Sequence, residues 1–185
     1  MDLDLIIQSR RSIRKYKNSK PDWRTIIECI DAMRYAPMSG GIFTLKFILV
    51  SDKEKINKLA KAAQQQFIST AKYVVVVLSK PNRTINAYGK RGENYIKQQA
   101  GAAIQNFLLK AHEKGLATCW VGHFVENMIK TVLKIPEELT VEAIFPIGKA
   151  NEKPKPKSLA ELDSFLYFEE YENQQMRKIK KIEQA

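Results

Sequence analysis

Residues 100–122 read AGAAIQNFLLKAHEKGLATCWVG and form the most regular stretch of the chain. Apolar side chains recur in and just before it at the spacing of one helix face, which predicts a helix from Tyr95 to Lys114. These apolar residues are Ile96, Ala100, Ala103, Ile104, Phe107, Leu108 and Ala111. Gly115 predicts the helix end, because glycine readily adopts the left-handed conformation of a C-terminal cap. LATCWVG then predicts a short strand that ends at Gly122.

The small residues at 100–103, Ala-Gly-Ala-Ala, have two readings. They allow close packing of another part of the backbone against the helix. They equally allow a flat ligand to approach the helix surface. The sequence leaves both readings open.

Further helices and strands precede and follow this stretch. Strand character is found at residues 45–52, 73–79 and 140–148. The continuous apolar run YVVVVLS at 73–79 is typical of a strand covered on both faces. Amphipathic spacing predicts helices at residues 2–11, 23–36, 53–67 and 126–135, with Pro37 ending the second of them. Five or six helices and four strands predict one α+β layered domain.

The chain changes character after Gly148. Residues 149–158, KANEKPKPKS, are rich in lysine and proline and predict an extended linker. Residues 159–171, LAELDSFLYFEEY, then carry apolar side chains that must be buried, either on the same domain or on a partner chain. We therefore expect a single domain over residues 1–185, with a core at 1–149 and a linker and C-terminal extension at 150–185.

Composition excludes several classes of protein. The chain has 185 residues and is 44% apolar, yet it contains no apolar run long enough to span a membrane. Its opening residues lack the order of a secretory signal, so we expect a cytoplasmic protein without a membrane partner. The two cysteines, Cys29 and Cys119, are far apart in sequence and form no CxxC, which predicts buried thiols. With only two histidines besides them, we expect no metal site.

The net charge of +11 raises the question of nucleic acid. The basic residues are spread along the chain and are dense only at residues 9–16 and 176–185. No nucleic-acid recognition motif is present, and the aromatic residues do not alternate with the basic ones. The sequence therefore disfavours a nucleic-acid partner.

Residues 9–16, SRRSIRKY, place four cations around Ser12. The segment has three readings: a solvated basic face, a nucleic-acid contact or a site for one phosphate. A phosphate suits arginine, whose planar fork makes paired, charge-assisted hydrogen bonds. Arg10 and Arg14 would share a face if the first helix continued through them.

The common catalytic motifs do not occur. The chain has no GxxxxGK[ST], no GxGxxG after a strand, no GxSxG and no HExxH. Their absence argues against a P-loop NTPase, a dinucleotide-binding Rossmann domain, a serine hydrolase and a zinc protease. If the protein is an enzyme, we expect a bound cofactor to perform the chemistry.

The order and spacing of these segments resemble the nitroreductase family of FMN-dependent oxidoreductases. The resemblance covers about residues 1–168 and rests on SRRSIRKY, on APMSGG before a strand, on residues 100–122 and on the strand that ends in PIG. It implies a central, mainly antiparallel sheet flanked by helices, and a C-terminal extension that wraps around a dimer partner. It also implies a homodimer with FMN at the subunit interface.

The resemblance also implies which residues contact FMN. The candidates are Arg10, Arg11, Ser12, Arg14, Pro37, Met38, Ser39, Gly40, Val121, Gly122, His123, Lys155 and Lys157. Arg10 and Ser12 would serve the phosphate and ribityl end, and Arg14 the pyrimidine edge of the ring. Residues 37–40 would pack beside the isoalloxazine ring, usually from the partner subunit. A backbone N–H of the turn at 121–123 would face flavin N5, and the two lysines would complete the phosphate site.

Some positions depart from the family pattern. After the APxxG loop the family commonly has Asn and then Gln-Pro, where this chain has Gly41, Phe43 and Thr44. Gln99 stands where an acidic residue is frequent, and His123 where glycine is frequent. We interpret His123 as a partly exposed residue at a strand end in preference to a proton donor.

The resemblance implies an enzyme that moves electrons from NADH or NADPH through flavin N5 to a small organic acceptor, such as a nitroaromatic or a quinone. Donor and acceptor would use the site in turn, in a ping-pong cycle. The resemblance assigns no catalytic side chain with certainty, because it places the chemistry on flavin N5. The missing Asn and Gln leave an alternative open, an FMN-binding storage or sensor protein with little turnover.

Overall fold

The computed structural model describes residues 2–176. Within that range the chain forms six α-helices, four β-strands and several 3₁₀ turns. The helices are α1 (Leu3–Ser9), α2 (Trp23–Asp31), α3 (Lys53–Ala62), α4 (Asn82–Tyr88), α5 (Arg91–Glu113) and α6 (Glu126–Leu133). The strands are β1 (Leu45–Val50), β2 (Tyr73–Ser79), β3 (Ala117–Thr118) and β4 (Thr140–Gly148). None of these helices is long and apolar enough to cross a membrane.

The four strands form one antiparallel sheet in the order β1-β2-β4-β3. Strands β2 and β4 lie in the middle, and every residue of β2 is buried. Their register pairs Val75 with Phe145, and an irregularity lies between Val77 and Leu78. This sheet, flanked by helices, confirms the predicted α+β layered fold.

Helices cover the sheet on both faces. Val75 and Val77 of β2 pack into a cluster with α2 and α5, whereas Val74 and Val76 pack into another with α3 and α6. Alternate residues of a strand point to opposite faces, so one short run supplies both clusters. In the α5 cluster the rings of Phe107 and Phe145 meet edge to face, 5.4 Å apart.

Helix α5 is longer than the sequence pattern predicts, because it begins at Arg91 instead of Tyr95. Its end agrees with the prediction. Gly115 has φ +66°, its N–H donates to His112 O, and the Leu116 N–H donates to Ala111 O. This pair of hydrogen bonds is the Schellman motif, which satisfies carbonyls left over at a helix end. Ala100 and Ala103 are buried in the core, so close packing accounts for both of them.

The chain divides into two compact units, one ending at Pro154 and one comprising Lys155–Ala185. The first extends past residue 149 because Asn151 and Glu152 hydrogen-bond the N-terminal segment. In the second, a 3₁₀ turn spans Leu162–Ser164, and Leu159 and Phe165 are 73% and 57% exposed. Most of the basic run at 176–185 lies outside the described residues.

Candidate functional site

The SRRSIRKY segment is mostly extended. Helix α1 ends at Ser9, and the Arg10 N–H makes the last helical hydrogen bond, to Ile6 O. Arg10 and Arg14 therefore do not share a helix face. The residues beyond follow an extended course in which Ile13 and Tyr16 are buried and Arg14 is exposed.

Backbone pairing holds this segment beside the sheet. The Ile13 N–H donates to Thr118 O on β3 (3.0 Å), and the Lys17 N–H donates to Lys149 O (2.8 Å). Tyr16 lies directly over Gly148, where an added Cβ would come within 2.8 Å of the tyrosine ring. The chain thus brings the basic segment next to β3, which leads into the turn at 121–123.

Glu152 fixes the two residues at the end of the basic segment. Its carboxylate accepts hydrogen bonds from the backbone N–H groups of Arg14 (2.5 Å) and Lys15 (3.0 Å). The hydrogen bond from Arg14, with the one from Lys15 and the charges of both side chains, holds the pKa of Glu152 below its usual range, although desolvation opposes the shift. The sequence carries no local signal for this role, because Glu152 lies in a lysine- and proline-rich run.

The arginines of the segment differ in their surroundings. The Arg11 guanidinium donates to the carbonyls of Gln8 (2.5 Å) and Arg10 (2.9 Å), so it caps the end of α1. The Arg14 guanidinium lies 6.0 Å from the ring centroid of Phe67, a residue that sequence reasoning did not connect with the site. Arg10 is half-buried, and no side-chain hydrogen bond occupies it within residues 2–176.

A cleft of about 430 Å³ opens beside Arg10 and Arg11 and reaches the C-terminal end of α5. His112 lies on its wall and shares a 2.8 Å hydrogen bond with the Ser9 hydroxyl. Burial, with the charges of Arg10 and Arg11, lowers the pKa of His112. The Thr118 hydroxyl, also on the wall, is buried and has no hydrogen-bond partner in the described part of the chain. Cations beside an unpaired hydroxyl suit an anionic, oxygen-rich group.

The turn at 121–123 follows β3. Val121 pairs with Ile144 through two 3.0 Å hydrogen bonds and is buried, whereas Gly122 and His123 are exposed. Among residues 2–176 nothing accepts a hydrogen bond from the N–H groups of Gly122 and His123. These donors remain available to a ligand. The exposure of His123 agrees with its interpretation as a strand-end residue.

Both cysteines are buried, as the sequence predicts, and neither forms a disulfide. Burial raises the pKa of Cys29 to about 12. Burial also raises the pKa of Cys119, although the nearby Arg14 partly opposes the shift. Both groups are therefore protonated thiols at neutral pH. Within residues 2–176, no three His, Cys, Asp or Glu side chains gather closely enough to hold a metal ion.

The loop at residues 37–40 lies at the other end of α5. Pro37, Met38 and Ser39 line a cleft of about 320 Å³ together with Tyr95 and Gln99 of that helix. Gln99 and His112 are thirteen residues apart on α5, which corresponds to about 20 Å. One chain therefore brings the start of the basic segment, at Arg10, to the C-terminal end of α5 and residues 37–39 to its N-terminal half. The turn at 121–123 lies further along the sheet, because Val121 pairs with Ile144, whereas Ala117 pairs with Gly148 at the end of β4.

Lys155 and Lys157 belong to the second compact unit and are exposed. Their part in a phosphate site stays a prediction. The fit of the other residues to FMN rests on the half-buried Arg10, the unpaired Thr118 hydroxyl and the free N–H groups at 122–123. These groups offer cationic and hydrogen-bonding donors to an anion and to a ring edge.

The fold is an α+β layered fold with one antiparallel sheet. The basic segment at residues 9–16 and the turn at 121–123, which has N–H groups that are free within the described part of the chain, lie at one edge of that sheet. The model of the Nitroreductase family matches residues 7–72 and 60–149. The chain belongs to the nitroreductase family.

Individual relatives agree with this assignment. The chain is 36% identical over 181 residues to a nitroreductase-named protein of Methanocaldococcus jannaschii, covering 80% of this chain and 90% of that protein. It is 29% identical over 148 residues to a protein of Archaeoglobus fulgidus named for NADH dehydrogenase or NAD(P)H nitroreductase, covering 77% and 82%. A solved FMN-dependent nitroreductase from Clostridium difficile superposes with a TM-score of 0.77 at 27% identity, covering 90% of this chain and 98% of that one.

Proposed function

We propose that this protein is an FMN-dependent oxidoreductase that passes electrons from NADH or NADPH to a small organic acceptor, such as a nitroaromatic or a quinone. Membership of the nitroreductase family supports an oxidoreductase. The name of the A. fulgidus relative supports a nicotinamide donor, and the C. difficile structure supports FMN. We propose a ping-pong cycle, in which oxidised donor leaves before the acceptor enters.

The observation that carries the proposal is the pairing of Ile13 with Thr118. This hydrogen bond brings a segment rich in arginine next to the strand that leads into a turn with free N–H groups. A ligand with a phosphate at one end and a flat, hydrogen-bonding ring at the other would use both. FMN has this form, and when bound its N5 accepts and releases hydride.

The side chains would divide the binding between them. Arg10 and Ser12 would hold the phosphate and ribityl end, with Lys155 and Lys157 completing the phosphate site. Arg14 would lie at the pyrimidine edge, where its charge favours the reduced, anionic ring. The N–H groups at 122–123 would donate to the ring edge. Arg11 would support the site indirectly, because its guanidinium already caps α1.

We further propose a homodimer in which each site is completed by the partner. The separation of about 20 Å along α5 supports this, because a second copy can bring its loop at 37–40 to the basic segment of the first. Exposed apolar side chains on α1 and α2, including Leu3, Trp23 and Ile27, support an interface. The apolar side chains of the C-terminal extension support a second area of contact.

The test is anaerobic reduction of the full-length, flavin-loaded protein by NADH and by NADPH. We expect the absorbance of oxidised flavin to disappear with at least one donor and to return when a nitroaromatic or a quinone is added. A storage or sensor protein would instead show no reoxidation by any acceptor. A purified protein that is colourless and does not bind added FMN would contradict the proposal altogether.

A further inference from the structure

Gln99 is a buried amide at the centre of a small hydrogen-bond network. It lies on α5, and the residue is only 4% exposed. Its Oε1 accepts from the Thr44 backbone N–H (2.9 Å) and from the Thr44 hydroxyl (2.6 Å). Its Nε2 donates to Ile42 O (3.1 Å). We call these three hydrogen bonds the Gln99 clasp.

The chemistry of the partners fixes the orientation of this amide. A backbone N–H can only donate and a backbone carbonyl can only accept. The oxygen of Gln99 must therefore face Thr44, and its nitrogen must face Ile42. An acidic side chain in the ionised form would place an oxygen against Ile42 O, so glutamine suits this backbone better than the frequent acidic residue does.

The clasp holds the chain immediately after the loop at 37–40. Beyond Thr44 the chain enters β1, and the Thr44 carbonyl accepts from the Lys80 N–H (2.8 Å). On the other side of the loop, the Tyr88 hydroxyl occupies the space that a Cβ of Gly40 would need. Tyr88 in turn packs edge to face on Tyr95, with ring centroids 5.2 Å apart. The loop is thus held from α4 and from α5.

The departures from the family pattern in this loop make the clasp important. Gly41 has no side chain to offer, and it takes φ +67°. Phe43 packs on the hydrophobic core and meets Phe47 at 6.3 Å between ring centroids. Neither residue can present an amide to a ligand, so the loop can hold a ring only through its backbone and through residues 37–39.

We propose that Gln99 is a positioning residue that fixes residues 37–44 in the conformation that binds the isoalloxazine ring, in place of the Asn and Gln side chains that this loop lacks. The inference rests on the proposed function, because it assigns the loop to a flavin site. Gln99 already uses both atoms of its amide in hydrogen bonds to Thr44 and Ile42. It acts through the backbone of residues 42–44.

The experiment compares FMN with riboflavin, which has the same ring but no phosphate. Both are titrated into the full-length, flavin-free protein, and dissociation constants are measured by flavin fluorescence. Gln99→Met, which keeps the length of the side chain and removes its hydrogen bonds, should weaken FMN and riboflavin binding by the same factor, about tenfold. Arg10→Ala should weaken FMN binding much more than riboflavin binding, because riboflavin keeps the ribityl chain but has no phosphate.

The matched control is Gln105→Met, which makes the same change at an exposed position of the same helix. We expect both dissociation constants to stay within about twofold of wild type. If Gln99→Met leaves riboflavin affinity unchanged in a folded protein, Gln99 has no part in ring binding and the inference is wrong. If wild type binds neither flavin, the proposed function itself is wrong.

If Gln99→Met does not fold, a less disruptive variant of the same hydrogen-bond network tests the inference. Thr44→Val removes one hydroxyl and leaves the backbone hydrogen bond to Gln99, so both flavins should bind about threefold more weakly. In the flavin-free protein, amide exchange of Ile42 and of residue 44 should also become faster, because their N–H groups donate to Ser39 O and to Gln99, while amides of β2 keep their protection. Unchanged riboflavin affinity in this variant would overturn the inference.

Discussion

Arg10, Arg11, Arg14 and Lys15 carry the same charge but have different surroundings. Arg11 is engaged by carbonyls at the end of α1, and Arg14 lies over Phe67. Lys15 is held through its backbone by Glu152, while its side chain is exposed. Arg10 is half-buried beside the cleft, and its guanidinium makes no hydrogen bond within residues 2–176. Charge alone does not distinguish these four residues, whereas the groups that surround each of them do.

Replacing Arg10 tests this difference. Arg10→Ala should weaken FMN binding roughly ten- to hundredfold, because it removes charge-assisted hydrogen bonds to the phosphate. Lys15→Ala is the matched change in an exposed neighbour and should alter FMN binding by about twofold or less. The measurement is fluorescence titration of FMN into each flavin-free protein. Equal losses in the two variants would make the segment a generic basic surface.

Because Glu152 hydrogen-bonds the backbone of Arg14 and Lys15, the stability that it gives to the SRRSIRKY segment depends on pH. Hydrogen bonds from the Arg14 and Lys15 N–H groups lower its pKa in the folded protein, so the folded state favours the ionised form. The resulting stability is present above the ordinary pKa of glutamate and is lost as pH falls through the lowered folded value.

The comparison for Glu152 is urea unfolding of wild type and Glu152→Gln at a series of pH values. We expect wild type to be more stable at neutral pH and the difference to shrink as pH falls below the ordinary glutamate range. A difference that does not change with pH would mean that the charge of Glu152 has no part in holding the segment.

Helix α5 is the element on which both parts of the site depend. Its N-terminal half presents Gln99 to the loop after residue 40, and its C-terminal end forms a wall of the cleft beside Arg10. The length of the helix therefore sets the distance between the two parts. Strand β4 contributes from the other side, because its last residue, Gly148, lies under Tyr16.

Gly148 is the position where this packing can be tested. Gly148→Ala should lower the free energy of unfolding by about 1–3 kcal/mol, because the new methyl group would overlap the Tyr16 ring. It should also weaken FMN binding, since Tyr16 lies in the basic segment. Gly101→Ala is the matched control within α5, where no atom other than the neighbouring backbone of the helix lies within 4 Å of the added Cβ.

We expect Gly101→Ala to raise stability by about 0.5–1 kcal/mol, as alanine usually does in a helix. Both variants can be compared by urea unfolding and FMN titration. If Gly148→Ala is as stable as wild type, the Tyr16 ring can move aside and the segment is less firmly held than its contacts indicate.

At the scale of the whole molecule, the basic segment and the loop at 37–40 of each chain meet α5 at positions about 20 Å apart. A dimer would bring the loop of one copy to the basic segment of the other. The first compact unit ends at Pro154 and includes Glu152, so a truncation that spares the site must begin after Pro154. The extension beyond it carries the exposed Leu159, Leu162 and Phe165.

Removal of residues 155–185 should therefore yield a folded protein that is monomeric or aggregated and binds FMN more weakly than the full chain does. The physical reasons are the loss of apolar contact area and of Lys155 and Lys157. Light scattering after size-exclusion chromatography gives the mass, and absorbance gives the flavin content. A truncated protein that remains dimeric and yellow would show that the extension is dispensable.

Much of the fold is predictable from local pattern. The run YVVVVLS predicts a strand buried on both faces, and the stripe from Ile96 to Ala111 with Gly115 after it predicts a capped helix. Both predictions agree with the structure. A strand buried on both faces has a continuous apolar run, and a helix buried on one face has apolar residues at helical spacing, so each can be recognised in the sequence. Helix α4 and the first turn of α5 are not predicted, since their polar sequence has little periodicity.

The residues of the site are less predictable in their relations to each other. SRRSIRKY is recognisable as a candidate anion site, and its resemblance to the family adds the loop at 37–40 and the turn at 121–123. Nothing in the local sequence connects Glu152 with Arg14, Phe67 with the Arg14 guanidinium, or Gln99 with Thr44. The members of each pair are more than fifty residues apart and meet only when the sheet and α5 are assembled.

Local sequence thus determines where the strands and most helices lie, that one segment is strongly basic, and that a glycine loop precedes β1. These properties depend on neighbouring residues, so they can be read along the chain. Only the tertiary structure decides that α1 ends at Ser9, so that Arg10 and Arg14 do not share a helix face. It also decides that Gln99 hydrogen-bonds Thr44 and Ile42, and that the two parts of the candidate site lie about 20 Å apart on α5. These depend on contacts distant in sequence, where packing and hydrogen-bond satisfaction override local preference.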